Sequence, residues 1–284
     1  MGSLSSGQIE QFHDQGYVVV PGVLEAAEID RYKTRAREIA LGDVPEAAAN
    51  RLVKDIQFAK GLLPMPADPE HALWKIINPD RFDPVMAECL RFPRVLDAVS
   101  SLLGDDLLAF LLMFIYKPPG VVQSVHPFHQ DAAYFPFGPQ ERCLGVWIPL
   151  DPVHRANGTL SVVPGSHREE KVRRHEARAG INFGAFAAEG AEDDSDFHAR
   201  AIDMELAPGD CLLFSTRLLH RSGGNETADH RRVVTLHMAS ATCRSNGPQL
   251  SEYGFTLVRG RTHEGCLRPV SAPSLELFHR AVEN

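Results

Sequence analysis

After residue 105 the chain is written in short apolar runs, at 107–117, 144–150, 159–163, 201–206, 210–214 and 232–241, separated by stretches rich in Gly, Pro, Asn and Asp. Runs of this length suit strands, and the separators are the residues that turn a chain back on itself. Many short strands joined in this way bury their apolar faces by packing sheet on sheet, so an antiparallel sandwich or jelly roll is expected. The first third follows a different pattern. Residues 6–40 read as helix, strand, helix: an amphipathic opening, the β-branched run Gly16-Tyr-Val-Val-Val-Pro, then a stretch of helix formers. Residues 85–103 are helical in pattern again. The expected architecture is mainly β with packed helices, a helical support over about 1–104 and a jelly-roll core over about 105–245.

Nothing divides the chain further, since it carries no internal repeat, no low-complexity linker and no abrupt shift of composition. Residues 1–284 are expected to form a single domain. Residues 168–196 are polar, charged and rich in Gly and Ala, the composition of a long excursion between strands, and such loops act as lids or stay mobile. Residues 246–284 read as a tail. With 29 Lys+Arg against 37 Asp+Glu the net charge is −8. Without a basic run, such a surface lacks the footprint that nucleic acid or an anionic membrane requires. The N-terminus has neither the basic start nor the apolar core of a signal peptide. The apolar stretch 102–116 is too short to span a bilayer and is broken by Gly104-Asp-Asp. Five cysteines, an odd number with no close pair, suit neither a disulfide framework nor a four-thiolate zinc site, so a reducing, cytoplasmic compartment is expected. What remains is a small-molecule substrate handled by a monomer or homodimer.

The residues that carry chemistry begin at Pro127-Phe-His-Gln-Asp-Ala-Ala-Tyr134. Side chains two apart on an extended chain share a face, so His129 and Asp131 can present an imidazole nitrogen and a carboxylate oxygen to one point. Downstream, Pro208-Gly-Asp feeds an apolar run followed by Leu218-Leu-His220. A histidine from a later strand can complete a set of two histidines and one carboxylate, which leaves half of an octahedral iron's coordination sphere open. Arg231 then heads the run Arg231-Arg-Val-Val-Thr-Leu-His-Met. A permanently charged, fork-shaped guanidinium suits a carboxylate held by two hydrogen bonds. Its neighbour Arg232 should point to the opposite face.

The ordered set His129-Gln-Asp131, Asn157-Gly-Thr-Leu, Pro164-Gly-Ser-His167, Pro208-Gly-Asp210, His220 and Arg231 resembles the phytanoyl-CoA dioxygenase family of Fe(II)- and 2-oxoglutarate-dependent oxygenases. The opening Phe12-His-Asp-Gln-Gly-Tyr-Val-Val-Val-Pro is similar to that family's start, and the resemblance runs from about residue 8 to about 240. It implies a double-stranded β-helix (jelly roll, cupin-like) core in which His129, Asp131 and His220 bind Fe(II). It implies that Arg231 binds the distal carboxylate of 2-oxoglutarate, that Lys75, Met113 and Trp147 contact this co-substrate, and that O2 is the third reactant. Related halogenating iron enzymes carry Gly or Ala at the carboxylate position, so Asp131 implies oxygenation. The implied reaction oxidises, most simply hydroxylates, a substrate C–H bond and releases succinate and CO2.

Other residues carry two readings. Tyr134-Phe135-Pro-Phe137 is either core packing or an apolar wall beside the metal, suited to a small lipophilic or ring-containing biosynthetic intermediate. Tyr134, Phe135 and Phe137 are therefore candidate substrate contacts. So is His126, which faces away from His129 in an unbroken strand and joins the pocket only if Pro127 breaks it. His167 sits in a turn and suits a hydrogen bond to backbone. His237 shares the parity of Arg231 and is expected to pack or hydrogen-bond inside the barrel. Cys143 and Cys211 read as buried small hydrophobes. An acyl-CoA is the alternative substrate, with Arg173, Arg174 and Arg178 available for its phosphates. Two other classes compete: a hydrolase or isomerase using the same metal set with zinc or manganese, and a non-catalytic binding module. Arg231 speaks against the first, and the intact metal set with its arginine against the second.

Overall fold

The computed structural model describes residues 2–177, 181–182, 185–246 and 254–270, so Arg178 and parts of the excursion and tail lie outside the described residues. Its strands, in chain order, are β1 Tyr17–Val20, β2 Leu52–Lys54, β3 Leu73–Ile77, β4 Leu107–Lys117, β5 His126–His129, β6 Phe137–Gly138, β7 Cys143–Pro149 and β8 Leu160–Val162. They continue as β9 His175–Glu176, β10 Ala187–Ala188, β11 Ile202–Asp203, β12 Cys211–Ser215, β13 His220–Ser222, β14 Arg231–Ser240, β15 Arg244–Ser245 and β16 Thr256–Arg259. An eight-stranded sheet runs β1-β12-β7-β14-β4-β3-β2, with β16 also pairing β4, and a four-stranded sheet runs β11-β8-β13-β5. All the pairings are antiparallel. This is the jelly roll expected from the sequence.

The strand expected at Gly16-Tyr-Val-Val-Val-Pro is β1, and the first third adds two more, β2 and β3, all three extending the large sheet. The run Leu73-Trp-Lys-Ile-Ile77 buries both of its faces, and its aromatic and β-branched residues suit that position. The pattern over 85–103 is broken. A short helix Pro84–Ala87 and a 3-10 turn Glu88–Arg91 precede the helix Pro93–Leu103, because Phe92, the residue before a proline, is held out of the helical region. Only Ile202–Asp203 of the run 201–206 pairs as a strand, and part of the tail, β16, joins the large sheet.

The outer face of the large sheet, with Leu112, Phe114 and Tyr116 of β4 and Val234, Leu236 and Met238 of β14, packs against the helices Ala26–Ala40 and Pro93–Leu103 in one apolar core. The inner face is divided. At one end Phe110, Phe135, Phe137, Phe255 and their neighbours form a closed aromatic cluster; the other end is open and holds the site. A bulge in β4 makes this continuous inner face possible. Thr235 pairs Met113 but His237 pairs Phe110, two steps on β14 against three on β4. The extra residue, Leu111, takes φ 50°, a left-handed conformation that a leucine adopts only under strain. Parity flips there, so Leu108 and Phe110 on one side of the bulge share a face with Leu111, Met113, Ile115 and Lys117 on the other.

The excursion is docked. Its Ala188 and Ala191, with Phe197 just beyond it, pack on Phe128 of β5 and on Val163 and Leu219, which flank β8 and β13.

Candidate active site

His129 ends β5 and His220 begins β13, and the two are direct partners across the antiparallel pair. Each imidazole places Nδ1 2.9 Å from the carbonyl oxygen two residues back, Pro127 for His129 and Leu218 for His220. A proton on Nδ1 donated to that carbonyl leaves both Nε2 lone pairs free for a metal. Gln130 stays extended, so Asp131 emerges on the same side, as the first residue of a 3-10 turn and not inside a strand. Its Oδ1 lies 3.6 Å from His129 Nε2 and 3.7 Å from His220 Nε2. All three residues are buried, and their ligand atoms lie within 4.8 Å of one another.

The electrostatics suit a cation. Burial pushes the His129 imidazole well below its usual range, with His126 and His220 adding to the effect, so it stays neutral with a lone pair to offer. Burial alone would raise the Asp131 carboxyl, but the imidazoles of His220, His237 and His129 hold it below the usual carboxylate range, so it stays ionised. Sequence reasoning expected His237 to pack or hydrogen-bond, and the structure makes that bond specific, with Nε2 donating to Asp131 Oδ2 at 2.8 Å. The bond occupies one carboxylate oxygen and turns the other toward the two histidines.

Arg231 is 2% exposed and donates from one NH2 group to the carbonyl of Gly158 at 2.7 Å. Its Nε and NH1 are buried with no hydrogen-bond partner among the described residues. Burial pushes its guanidinium down to about 9. Buried donors without partners are costly, and a carboxylate would satisfy them. Gly158 is required for this support, since a Cβ there would meet the carbonyl oxygens of Gly223 and Gly224 at 2.6 and 2.8 Å. Arg232 points to the opposite face, where Nε and NH2 clasp both oxygens of Asp151 at 2.8 and 2.9 Å.

The triad and Arg231 line one cavity of about 200 Å³ together with Lys75, Met113, Trp147, His126, Tyr134 and Phe135. Lys75 Nζ stands 3.9 Å from the Trp74 ring centroid, and burial pushes its ammonium down to about 8. His126 reaches the cavity for a reason its spacing hides. Two residues of β13, His220 to Ser222, span three of β5, His129 to His126, and this bulge puts both histidines on one side. Their rings stack at 3.9 Å with an interplanar angle of 2°. Phe137 departs from the cavity-wall expectation. It is fully buried in the aromatic cluster against Phe110 and Phe255 and does not line the cavity, because its ring points past the end of the site into the core.

His167 makes a backbone contact, Nε2 to the carbonyl of His13 at 3.1 Å. Arg173 is paired with Glu169 at 2.9 Å. Sequence reasoning missed several lining residues. Ser222 and Thr235 share strand parity with His220 and Arg231, a usable signal. Lys117, 1% exposed with its ammonium bonded to the Ser124 carbonyl, gave none, because a lysine ending an apolar run reads as a strand leaving the core.

A buried pair of histidines and a carboxylate, beside an arginine with unpaired donors in a jelly roll, fits a metal and a dicarboxylate. The class is a non-haem, Fe(II)- and 2-oxoglutarate-dependent dioxygenase. Residues 12–233 match the phytanoyl-CoA dioxygenase family, and the chain belongs to that family. It is 33% identical to a probable phytanoyl-CoA dioxygenase of Caenorhabditis elegans over 247 residues, 84% of this chain and 77% of that protein. It is 28% identical to the peroxisomal phytanoyl-CoA dioxygenase of Homo sapiens, over 84% of this chain and 70% of that one. Among solved structures, the epimerase SnoN, crystallised with Fe3+, alpha-ketoglutarate and nogalamycin RO, superposes with a TM-score of 0.67 at 21% identity, covering 95% of both chains. EctD from S. alaskensis, with 2-oxoglutarate and 5-hydroxyectoine, gives 0.68 at 22%, over 95% of this chain and 89% of that one. At these identities the structures share the fold.

Proposed function

We propose that the chain hydroxylates a C–H bond of a small lipophilic molecule held beside the triad, with succinate and CO2 as co-products. The observation that carries this reading is the cavity that joins the triad to the unpaired donors of Arg231, with Leu111, Met113, Ile115, Phe135, Trp147 and Phe214 among its walls beside the polar Lys75, Lys117, Ser222 and Thr235.

His129, Asp131 and His220 would hold Fe(II), and Arg231 the distal carboxylate of 2-oxoglutarate, with Lys75, Met113 and Trp147 around it. When bound, iron and 2-oxoglutarate supply the oxygen activation and oxidising power that C–H cleavage needs. The chain's own part is position and exclusion. The carbonyls of Pro127 and Leu218 and the imidazole of His237 fix the three ligands. Gly158 aims Arg231. The apolar walls keep water from the reacting centre. No side chain is needed as a general base, so selectivity follows from which carbon the walls hold nearest the triad.

A second reading, hydroxylation of a branched acyl-CoA, is favoured by the worm and human relatives named above. The two separate in one assay: succinate release and substrate oxidation with Fe(II), 2-oxoglutarate and air, comparing phytanoyl-CoA, the free branched acid and a panel of ring-containing lipophiles. Oxidation of a free lipophile alone supports the first reading, and oxidation of the thioester alone supports the second. Succinate release that no candidate stimulates contradicts both.

A further inference from the structure

Gln130 stands between two residues of the triad, is 1% exposed and binds in three directions. Its backbone N–H donates to His175 Nε2 at 2.9 Å, and His175 Nδ1 in turn lies 2.8 Å from the Arg173 carbonyl, which fixes the tautomer that can accept. Its side-chain oxygen accepts from the Arg173 N–H at 2.8 Å. Its side-chain NH2 donates to the carbonyl of Arg217 at 2.8 Å, three residues before His220. A carbonyl on one side and an N–H on the other leave the amide only this orientation. One residue therefore joins the segment carrying His129 and Asp131, the segment carrying His220, and the excursion.

The excursion grips the same segment twice more. Phe186 N–H donates to the Tyr134 hydroxyl at 3.0 Å, and the Glu192 carboxylate accepts from the Phe128 N–H. Its Asn182 is anchored far off in sequence, accepting from the Ile56 N–H at 2.7 Å and donating to Asp55 at 3.0 Å.

We infer that Gln130 is a positioning residue that couples the seating of the excursion to the geometry of the metal triad. This rests on the reading of His129, Asp131 and His220 as metal ligands. The Gln130 peptide sets the angle between the first two ligands, and its amide ties that peptide to the strand bearing the third. An excursion that lifts takes Arg173 and His175 with it and frees the peptide to rotate. Coupling of this kind is reciprocal: by whatever factor the seated excursion tightens metal binding, bound metal favours the seated excursion.

The test uses Mn(II) as probe, with affinity read by electron paramagnetic resonance and seating read by amide hydrogen exchange at 172–177 and 185–192. In the wild type, Mn(II) slows exchange in both stretches several-fold. In Gln130→Ala the Mn(II) Kd rises about tenfold, the usual effect of losing a group that orients a metal ligand, and Mn(II) no longer slows exchange in the excursion. Gln130→Glu keeps the acceptor for Arg173 and restores part of the protection, which a general loss of packing would not allow. His175→Ala leaves the Gln130 amide in place, speeds exchange in the excursion and weakens Mn(II), so the coupling stays testable if Gln130→Ala does not fold. Mn(II) binding to the wild type with no change in excursion exchange overturns the coupling alone, as does wild-type affinity in both Gln130→Ala and His175→Ala. Mn(II) binding that survives unchanged in Asp131→Ala overturns the ligand assignment and the coupling with it.

Discussion

Arg231 and Arg232 are chemically identical neighbours with opposite roles, separated by strand parity alone. Arg231 keeps two buried donor groups unpaired among the described residues, while the fork of Arg232 is already engaged by Asp151. Replacing Arg231 with Ala should remove charge-assisted hydrogen bonds worth about 3 kcal/mol to a bound dicarboxylate, raising the 2-oxoglutarate requirement roughly a hundredfold. Replacing Arg232 with Ala should leave that requirement alone and destabilise the fold by about 1–3 kcal/mol, because Asp151 loses its bidentate partner; titrating 2-oxoglutarate and urea against both variants separates the two. Lys75 adds a pH signature. Its folded value of about 8 lies below the ordinary lysine value of 10.5, so folding disfavours its protonated form. The cost is present in full below pH 8 and fades as pH rises toward 10.5. Lys75→Met should therefore be more stable than wild type at about pH 7, with the gap closing toward about pH 10, as measured by denaturant unfolding in the absence of ligands. A gap that widens with pH contradicts the burial of the ammonium.

At the scale of elements, what was legible in the sequence follows from what local patterning controls. The runs at 107–117, 210–214 and 232–241 became β4, β12 and β14 within a residue or two, because apolar composition and turn residues are local properties. His129 and Asp131 are legible from their two-residue spacing, and His220 and Arg231 from their order and spacing in the family motif, all of which are properties of the chain itself. What failed depends on pairing. The bulge that brings His126 beside His129 and the one at Leu111 that flips β4 exist only between two strands, and neither has a signature in one strand's sequence. The two readings of Phe137 divide on the same ground: only the three-dimensional path of the chain after Asp131 decides that Phe135 reaches the cavity while Phe137 enters the aromatic cluster. Phe137→Ala should thus behave as a core truncation, costing about 3–5 kcal/mol, and its residual folded fraction should keep the wild-type requirement for 2-oxoglutarate. A raised requirement at unchanged stability would return Phe137 to the cavity wall.

Across the whole molecule, the helices before residue 104 and the strands after it share one apolar core, in which Tyr32, Ile39 and Val99 pack in the same cluster as Phe114, Val146 and Leu236. We therefore expect the helical support and the jelly roll to unfold together, in a single calorimetric transition; two resolved transitions would show that the support is a separate unit. The same arrangement backs the site, since Arg231, Thr235 and His237 lie on a strand whose other face is packed against helices. The proposed function places oxidation by iron and 2-oxoglutarate at His129, Asp131 and His220. The decisive measurement is succinate formed from 2-oxoglutarate by the purified chain in air, with and without Fe(II), beside Asp131→Ala and Arg231→Ala. Succinate that requires Fe(II), vanishes in Asp131→Ala and returns in Arg231→Ala only at much higher 2-oxoglutarate is the expected result. Binding of neither Fe(II) nor 2-oxoglutarate by the wild type, or succinate formation that Asp131→Ala leaves intact, would contradict it.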